Sequence, residues 1–221
     1  MRRRLVVISP HLDDAVLGCS ALLARHHDAV VVTVFAGRPP ASAPLPPWDE
    51  AAGFRAGDDV IGTRRAEDRA ALEILGAAPR WLPFLDAQYG ESPGVDGIVP
   101  ALDSELTAAG PATVCVPLGL FHSDHVLTHA AALRLRARYP GWRWLAYEEP
   151  MYRRVPGALA DRLASMKAAG IAAAPLGSCP VPSRKTEAMA CYASQLRALG
   201  TPGRPGVADA LAPERYWTLT A

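Results

Sequence analysis

Two short clusters in this 221-residue chain bring together side chains able to do chemistry: Ser9-Pro10-His11-Leu12-Asp13-Asp14 and His122-Ser123-Asp124-His125. His11 and Asp14 are three residues apart, so both can face one ion across a tight turn. His125 can supply a third ligand. Imidazole and carboxylate donors suit zinc, whose catalytic sites keep three protein ligands and leave one position open. Asp13, next to a ligand, is placed to take a proton from water at such an ion. His122 can face the substrate from the other side. Magnesium, held by an acid pair in receiver-like signalling domains, prefers oxygen ligands and would leave the histidines unexplained. Such a domain also needs a phosphorylatable aspartate after its third strand, which only Asp86 could imitate. A metal-binding protein without catalysis would leave Asp13 and His122 without a task.

The elements that must position these residues are legible from their periodicity. Apolar or β-branched runs predict strands at 3–8, 29–35, 80–85, 113–117 and 143–147, with a further strand at 171–176 and a last edge strand at 215–219. Helical patterns run from 16 to about 27, then over 63–76, 95–109, 124–139, 158–169 and 183–199, with Thr63 as a cap and Gly76 and Gly200 as stops. This alternation predicts an α/β fold, a Rossmann-like three-layer sandwich around a mostly parallel sheet, with right-handed crossovers and one domain over 1–221. In such folds ligands bind beyond the carboxyl ends of the strands. Both clusters fall there, as do Asp86 and Tyr89 after the third strand and Glu148 after the fifth. Residues 37–62 interrupt the pattern. Pro39, Pro40, Pro44, Pro46 and Pro47 forbid regular structure in the first half of that stretch, and its position predicts a lid or substrate wall.

Composition excludes several classes. Half the residues are hydrophobic, enough for a sizeable core, and the formal charge of +1 argues against a nucleic-acid partner. Met1-Arg2-Arg3-Arg4 is basic, but the apolar run after it is only four residues, too short for a signal peptide or a membrane span. The expectation is a cytoplasmic protein with no membrane partner. Cys19, Cys115, Cys179 and Cys191 are far apart and lack Cys-x-x-Cys spacing, which predicts free thiols. His26, His27 and His129 lie outside the clusters and read as surface or helix-face residues.

The stretch Pro10-His11-Leu12-Asp13-Asp14-Ala15 resembles the Pro-His-Pro-Asp-Asp-Glu motif of the LmbE-like, or PIG-L, family of zinc-dependent N-deacetylases. His122-Ser123-Asp124-His125 resembles that family's His-Pro-Asp-His. Arg65-Ala66-Glu67 is similar to its Arg/Glu-bearing helix, and Tyr192-Ala193-Ser194-Gln195 to its late helix ending in Ser-Gln. The resemblance implies one zinc per chain on His11, Asp14 and His125, although iron(II) or cobalt could use the same ligands. It implies Asp13 as general base, and a protonated His122 that holds the oxyanion or protonates the leaving amine, with Asp124 orienting it. The substrate it implies is a small N-acetylated amino sugar or conjugate, with Arg65, Asp86, Tyr89 and Glu148 as contacts. An amidase cleaving a thiol-sugar conjugate is the alternative on the same site, and a homo-oligomer is left open. Leu12, Ala15 and Ser123 depart from the motifs at positions that are not ligands. Leu120 stands where some members carry tyrosine, which leaves Tyr89 and Tyr152 as candidates for a polarising role.

Overall fold

The computed structural model describes residues 3–90, 92–201 and 206–220; Met1 and Arg2 of the basic start lie outside them. Seven strands form one sheet: β1 (Arg4–Ser9), β2 (Ala29–Thr33), β3 (Ala77–Trp81), β4 (Ala112–Pro117), β5 (Arg143–Tyr147), β6 (Ala172–Cys179) and β7 (Glu214–Thr220). The helices are α1 (Asp14–Leu23), α2 (Pro47–Ala51), α3 (Val60–Leu75), α4 (Gly94–Ala109), α5 (Ser123–Arg136), α6 (Ala158–Ala168), α7 (Ser183–Ala190), α8 (Ala193–Leu199) and α9 (Val207–Ala210).

The strand order is β3-β2-β1-β4-β5-β7-β6, with β1 to β5 mutually parallel. The order reverses between β1 and β4, and a crevice opens at their carboxyl ends. Alternation along the buried strands sends Leu5 and Val7 to one face and Val6 and Ile8 to the other. The first pair packs with Leu72 and Leu75 of α3 and Met189 of α7. The second pair packs with Ile98 and Leu102 of α4 and Ala131 of α5. The result is the expected three-layer α/β arrangement.

Several expectations need correction, among them the third strand, which runs over Ala77–Trp81 rather than 80–85, and the Thr63 cap, whose place Asp59 takes. The tail strand β7 is not an edge strand: it lies between β5 and β6 and runs antiparallel to both. Its neighbours come from distant chain segments, which local periodicity does not report. The helix expected over 183–199 is two helices, broken at Cys191 and Tyr192. The break brings the Tyr192 hydroxyl onto Asp68 of α3 at 2.8 Å. In the 37–62 stretch, α2 occupies the middle and α3 begins at Val60, with Asp59 accepting from the Gly62 N–H as its cap.

Helix α1 is held from behind by a buried ionic network. The fully buried Lys185 ammonium donates to Glu214 Oε1 at 2.8 Å and to the Leu17 carbonyl. The same carboxylate accepts the backbone N–H groups of Ser20 (3.0 Å) and Ala21 (2.8 Å), and the Tyr216 hydroxyl. Burial pushes the Lys185 ammonium below its ordinary pKa, and Glu214 opposes that. Gly18 lies against the Tyr147 ring; a Cβ there would come within 2.6 Å of Tyr147 Cδ2. Replacing Lys185 by methionine strands a buried carboxylate. Urea unfolding is expected to show a loss of about 3–5 kcal/mol. A loss under about 1 kcal/mol, the size of an exposed pair, would show that the network is not what secures α1.

Candidate metal and catalytic site

The turn from β1 into α1 is stapled by its own side chains. Ser9 Oγ donates to the His11 carbonyl at 2.8 Å and accepts from the Ala15 N–H at 3.0 Å, and the His11 N–H donates to Asp14 Oδ2 at 2.9 Å. His11 Nδ1 is thereby brought to 3.2 Å from Asp14 Oδ2. On the adjacent strand, Gly119 turns the chain from β4 toward α5 at φ +72°, where a Cβ would meet the His125 carbonyl and His129 Cβ at 2.9 Å. The turn sets α5 so that His125 Nε2 reaches the same Asp14 oxygen at 3.1 Å. His11, Asp14 and His125 thus form a group able to hold a metal ion, their ligand atoms within 4.8 Å of one another. A second group, His11, His122 and Asp124, shares His11.

The far nitrogens of both imidazoles are also held. His11 Nε2 lies 3.0 Å from Asp124 Oδ2, and His125 Nδ1 lies 3.2 Å from Glu149 Oε1. Carboxylates on the rear nitrogens of metal-binding histidines fix ring and tautomer and raise ligand basicity. Asp124 therefore does not orient the His122 ring through its carboxylate, as the motif suggested; that carboxylate serves His11 and the Ala87 N–H. Only its backbone N–H reaches His122, donating to Nδ1 at 3.3 Å. Glu149 was not anticipated. It also accepts the Gly119 and Leu120 N–H groups, so one buried side chain secures the turn and the His125 ring together.

Charge is unevenly distributed around this centre. Burial lowers the His125 pKa, but Asp14 and Glu149 outweigh it and bring the ring to about 9. Burial is overcome in the same way at His11, which Asp86, Asp124 and Asp14 raise well above its ordinary value. Burial and the charge of Asp14 push Asp13 up to about 7. His122 is moved down, by burial first and then by His11 and His125. Five carboxylates (Asp13, Asp14, Asp86, Asp124 and Glu149) thus crowd a place that favours positive charge.

Above the centre opens a cavity of about 680 Å³, within the usual range for small ligands, lined by His11, Asp13, Asp14, His122 and His125 together with Asp86 and Gln88. Of the four expected substrate contacts, Asp86 lines it, 3.8 Å from His11 Nε2. The other three are engaged elsewhere. Arg65 donates twice to the Ala36 carbonyl and stacks on Trp81. Glu148 is buried against Trp217, Arg153 and Arg215. The Tyr89 hydroxyl donates to Asp49 and borders a separate cavity of about 320 Å³ behind the proline-rich stretch. Trp48 of that stretch lines the main cavity, so the segment does supply a wall. Tyr152 lines the cavity too, its ring edge-on to His125 at 5.2 Å. His129 is buried, with Nδ1 2.8 Å from the Pro117 carbonyl, rather than on the surface. The late motif proves to be a brace, with Glu67 accepting the Ser194 N–H and hydroxyl and Gln195 accepting from Trp48.

The family model for PIG-L, described as GlcNAc-PI de-N-acetylase, matches residues 6–135 and so spans both clusters. The chain belongs to the PIG-L family. A 2'-N-acetylparomamine deacetylase of Niallia circulans is 28% identical over 191 residues, covering 68% of each chain. The crystal structure of the A40926 pseudoaglycone deacetylase is 30% identical, covers 100% of this chain and 98% of its own, and superposes with a TM-score of 0.77. The zinc-inhibited form of teicoplanin deacetylase superposes at 0.79 over 98% of each chain with 24% identity, a likeness of fold. The PIG-L protein is thus an N-deacetylase acting on a C–N bond that is not a peptide. Among its described residues no helix is long and apolar enough to cross a membrane.

Asp86→Ala is expected to raise KM by roughly tenfold or more, the worth of one hydrogen bond to a charged group, whereas Tyr89→Phe leaves KM in place. Steady-state kinetics showing the reverse pattern would return the substrate to the Tyr89 side.

Proposed function

We propose that the protein, acting as a single catalytic domain, removes the N-acetyl group of an amino sugar with one zinc ion held by His11, Asp14 and His125. The observation that carries this reading is the convergence of His11 Nδ1 and His125 Nε2 on one oxygen of Asp14, at 3.2 and 3.1 Å, on the floor of the cavity. Ligands of a tetrahedral zinc with bonds of about 2.0–2.1 Å stand roughly 3.3 Å apart. The donor set and its spacing therefore fit the ion. The rear carboxylates on both imidazoles favour this trio over the alternative group that uses His11 Nε2. Relatives that deacetylate 2'-N-acetylparomamine and A40926 pseudoaglycone support an acetylated amino sugar of a natural-product pathway as the substrate class.

When bound, zinc supplies Lewis acidity to the amide carbonyl and acidifies water. Asp13, beside Asp14 on the cavity wall, takes the proton of the attacking water. The new C–O bond forms at the carbonyl carbon, the C–N bond breaks, and the proton held by Asp13 goes to the departing nitrogen. The carboxylic acid and the amine leave, and the acid's proton passes to the amine to give carboxylate and ammonium. The His122 Nδ1 accepts from the Asp124 N–H, so the neutral ring carries its proton on Nε2. It then donates to the carbonyl oxygen as charge builds there, as a neutral donor rather than the imidazolium first expected. Removing one such donor typically costs on the order of a hundredfold in kcat.

The first test is acetate release from a panel of N-acetylated amino sugars, before and after chelation and return of zinc. Release that disappears on chelation and returns with zinc is expected; release indifferent to chelation would refute the metal-dependent reading. Asp13→Asn is expected to keep zinc and lose turnover, and full activity in that variant would remove Asp13 as the base. Asp124→Ala, which frees His11 Nε2, is expected to weaken zinc binding by about 10- to 100-fold in competition with a chromophoric chelator. Unchanged affinity would mean that the rear carboxylate does not support the ligand.

A further inference from the structure

The cavity has two unlike sides. The strand order places the ends of β3 and β5 on opposite sides of the β1–β4 switch point. Asp86 and Gln88 follow β3, and Gln88 Oε1 is buried without a hydrogen-bond partner. Met151, Tyr152 and Val155 follow β5, and Leu17 of α1 and Leu199 of α8 extend that side. Phe121 closes it at the mouth, 62% exposed, its ring 5.5 Å from that of Tyr152. Two polar side chains on the apolar side are engaged: Arg154 pairs with Asp209, and the Gln195 carbonyl accepts from Trp48.

An amide hydrolysed at the His11–Asp14–His125 centre must present its carbonyl there. Because the amide is planar and trans, its two substituents leave in opposite directions. A sugar needs partners for its hydroxyls, and burying them against aliphatic side chains leaves them unpaired. The sugar half therefore belongs over Asp86 and Gln88, and the acyl half over the apolar side. An acetyl methyl fills little of that surface.

We propose that the apolar side is an acyl-chain subsite, and that linear N-acyl groups longer than acetyl are hydrolysed with higher kcat/KM than acetyl itself. This rests on the N-deacetylase reading above. The chemistry is the same hydrolysis, with a longer carboxylate leaving. Each methylene taken from water is worth roughly fourfold in binding, so a chain that gains only two or three such contacts stands more than about tenfold above acetyl.

The test compares amine release from N-acetylglucosamine, N-hexanoylglucosamine and the nitrophenyl glycoside of N-acetylglucosamine by the zinc-loaded protein. Calorimetric binding of the first two to chelator-treated protein gives a readout independent of turnover. A hexanoyl advantage of about tenfold or more in both measurements is expected, and Val155→Ser and Leu199→Ser should each cut the hexanoyl rate more than the acetyl rate. Acetyl equal to or better than hexanoyl would overturn the proposal while leaving the deacetylase reading intact. A gain confined to the nitrophenyl glycoside would also overturn it, and would assign the apolar side to an aglycone. No release from any of the three would count against the deacetylase reading itself. Calorimetry would then still decide the subsite, tighter hexanoyl binding upholding it and equal binding refuting it.

Discussion

One carboxylate oxygen gathers the centre. Asp14 Oδ2 accepts the His11 N–H and meets an imidazole nitrogen from each of two neighbouring strand ends, at 3.2 and 3.1 Å. Bringing imidazoles and five carboxylates together in a largely buried crevice costs several kcal/mol per unpaired charge. Both nitrogens of His11 and of His125 face carboxylates, and the excess of negative charge makes a cation the natural occupant. The rest of the fold serves this convergence. The switch in strand order sets β1 beside β4, the Gly119 turn aims α5, Glu149 ties that turn to His125, and the Lys185–Glu214 pair fixes α1 from behind.

The parts of this arrangement that are local in sequence were legible in it. His11, Asp14 and His125 carry their chemistry in their type and spacing, and the strand runs before them place them at the sheet edge. What was not legible depends on direction and on pairing at a distance. Glu148 and Glu149 are adjacent, yet only Glu149 turns toward His125, because successive side chains at a strand end face opposite ways. Arg64 and Arg65 are divided likewise on a helix. Arg64 is buried against Asp49 at 2.6 Å, while Arg65, the residue singled out from the motif, is held by the Ala36 carbonyl and the Trp81 ring. The place of β7 inside the sheet is set by pairing with β5 and β6, which no window of the chain reports.

A sheet of this kind hosts many reactions, so fold alone does not name the chemistry. Here the specific content lies in the site: paired imidazoles on a shared carboxylate, an Asp13 carboxyl raised to about 7 by burial and Asp14, a His122 ring moved below its ordinary value by burial and its neighbouring imidazoles, and a cavity polar on one side and apolar on the other. The apolar side is a property of loops and helix ends, the regions in which relatives on one scaffold diverge. Asp86, Tyr152 and Phe121 are thus where differences in substrate would be written, while His11, Asp14 and His125 remain fixed by the sheet.

The most direct measurement is X-ray absorption at the zinc edge on the zinc-loaded protein. Two imidazole nitrogens and a carboxylate oxygen at about 2.0–2.1 Å, with no sulfur and one zinc per chain, are predicted. One imidazole should be lost in His125→Ala. A sulfur shell at about 2.3 Å, or a protein that retains no zinc, would contradict the assignment of His11, Asp14 and His125 as the metal centre.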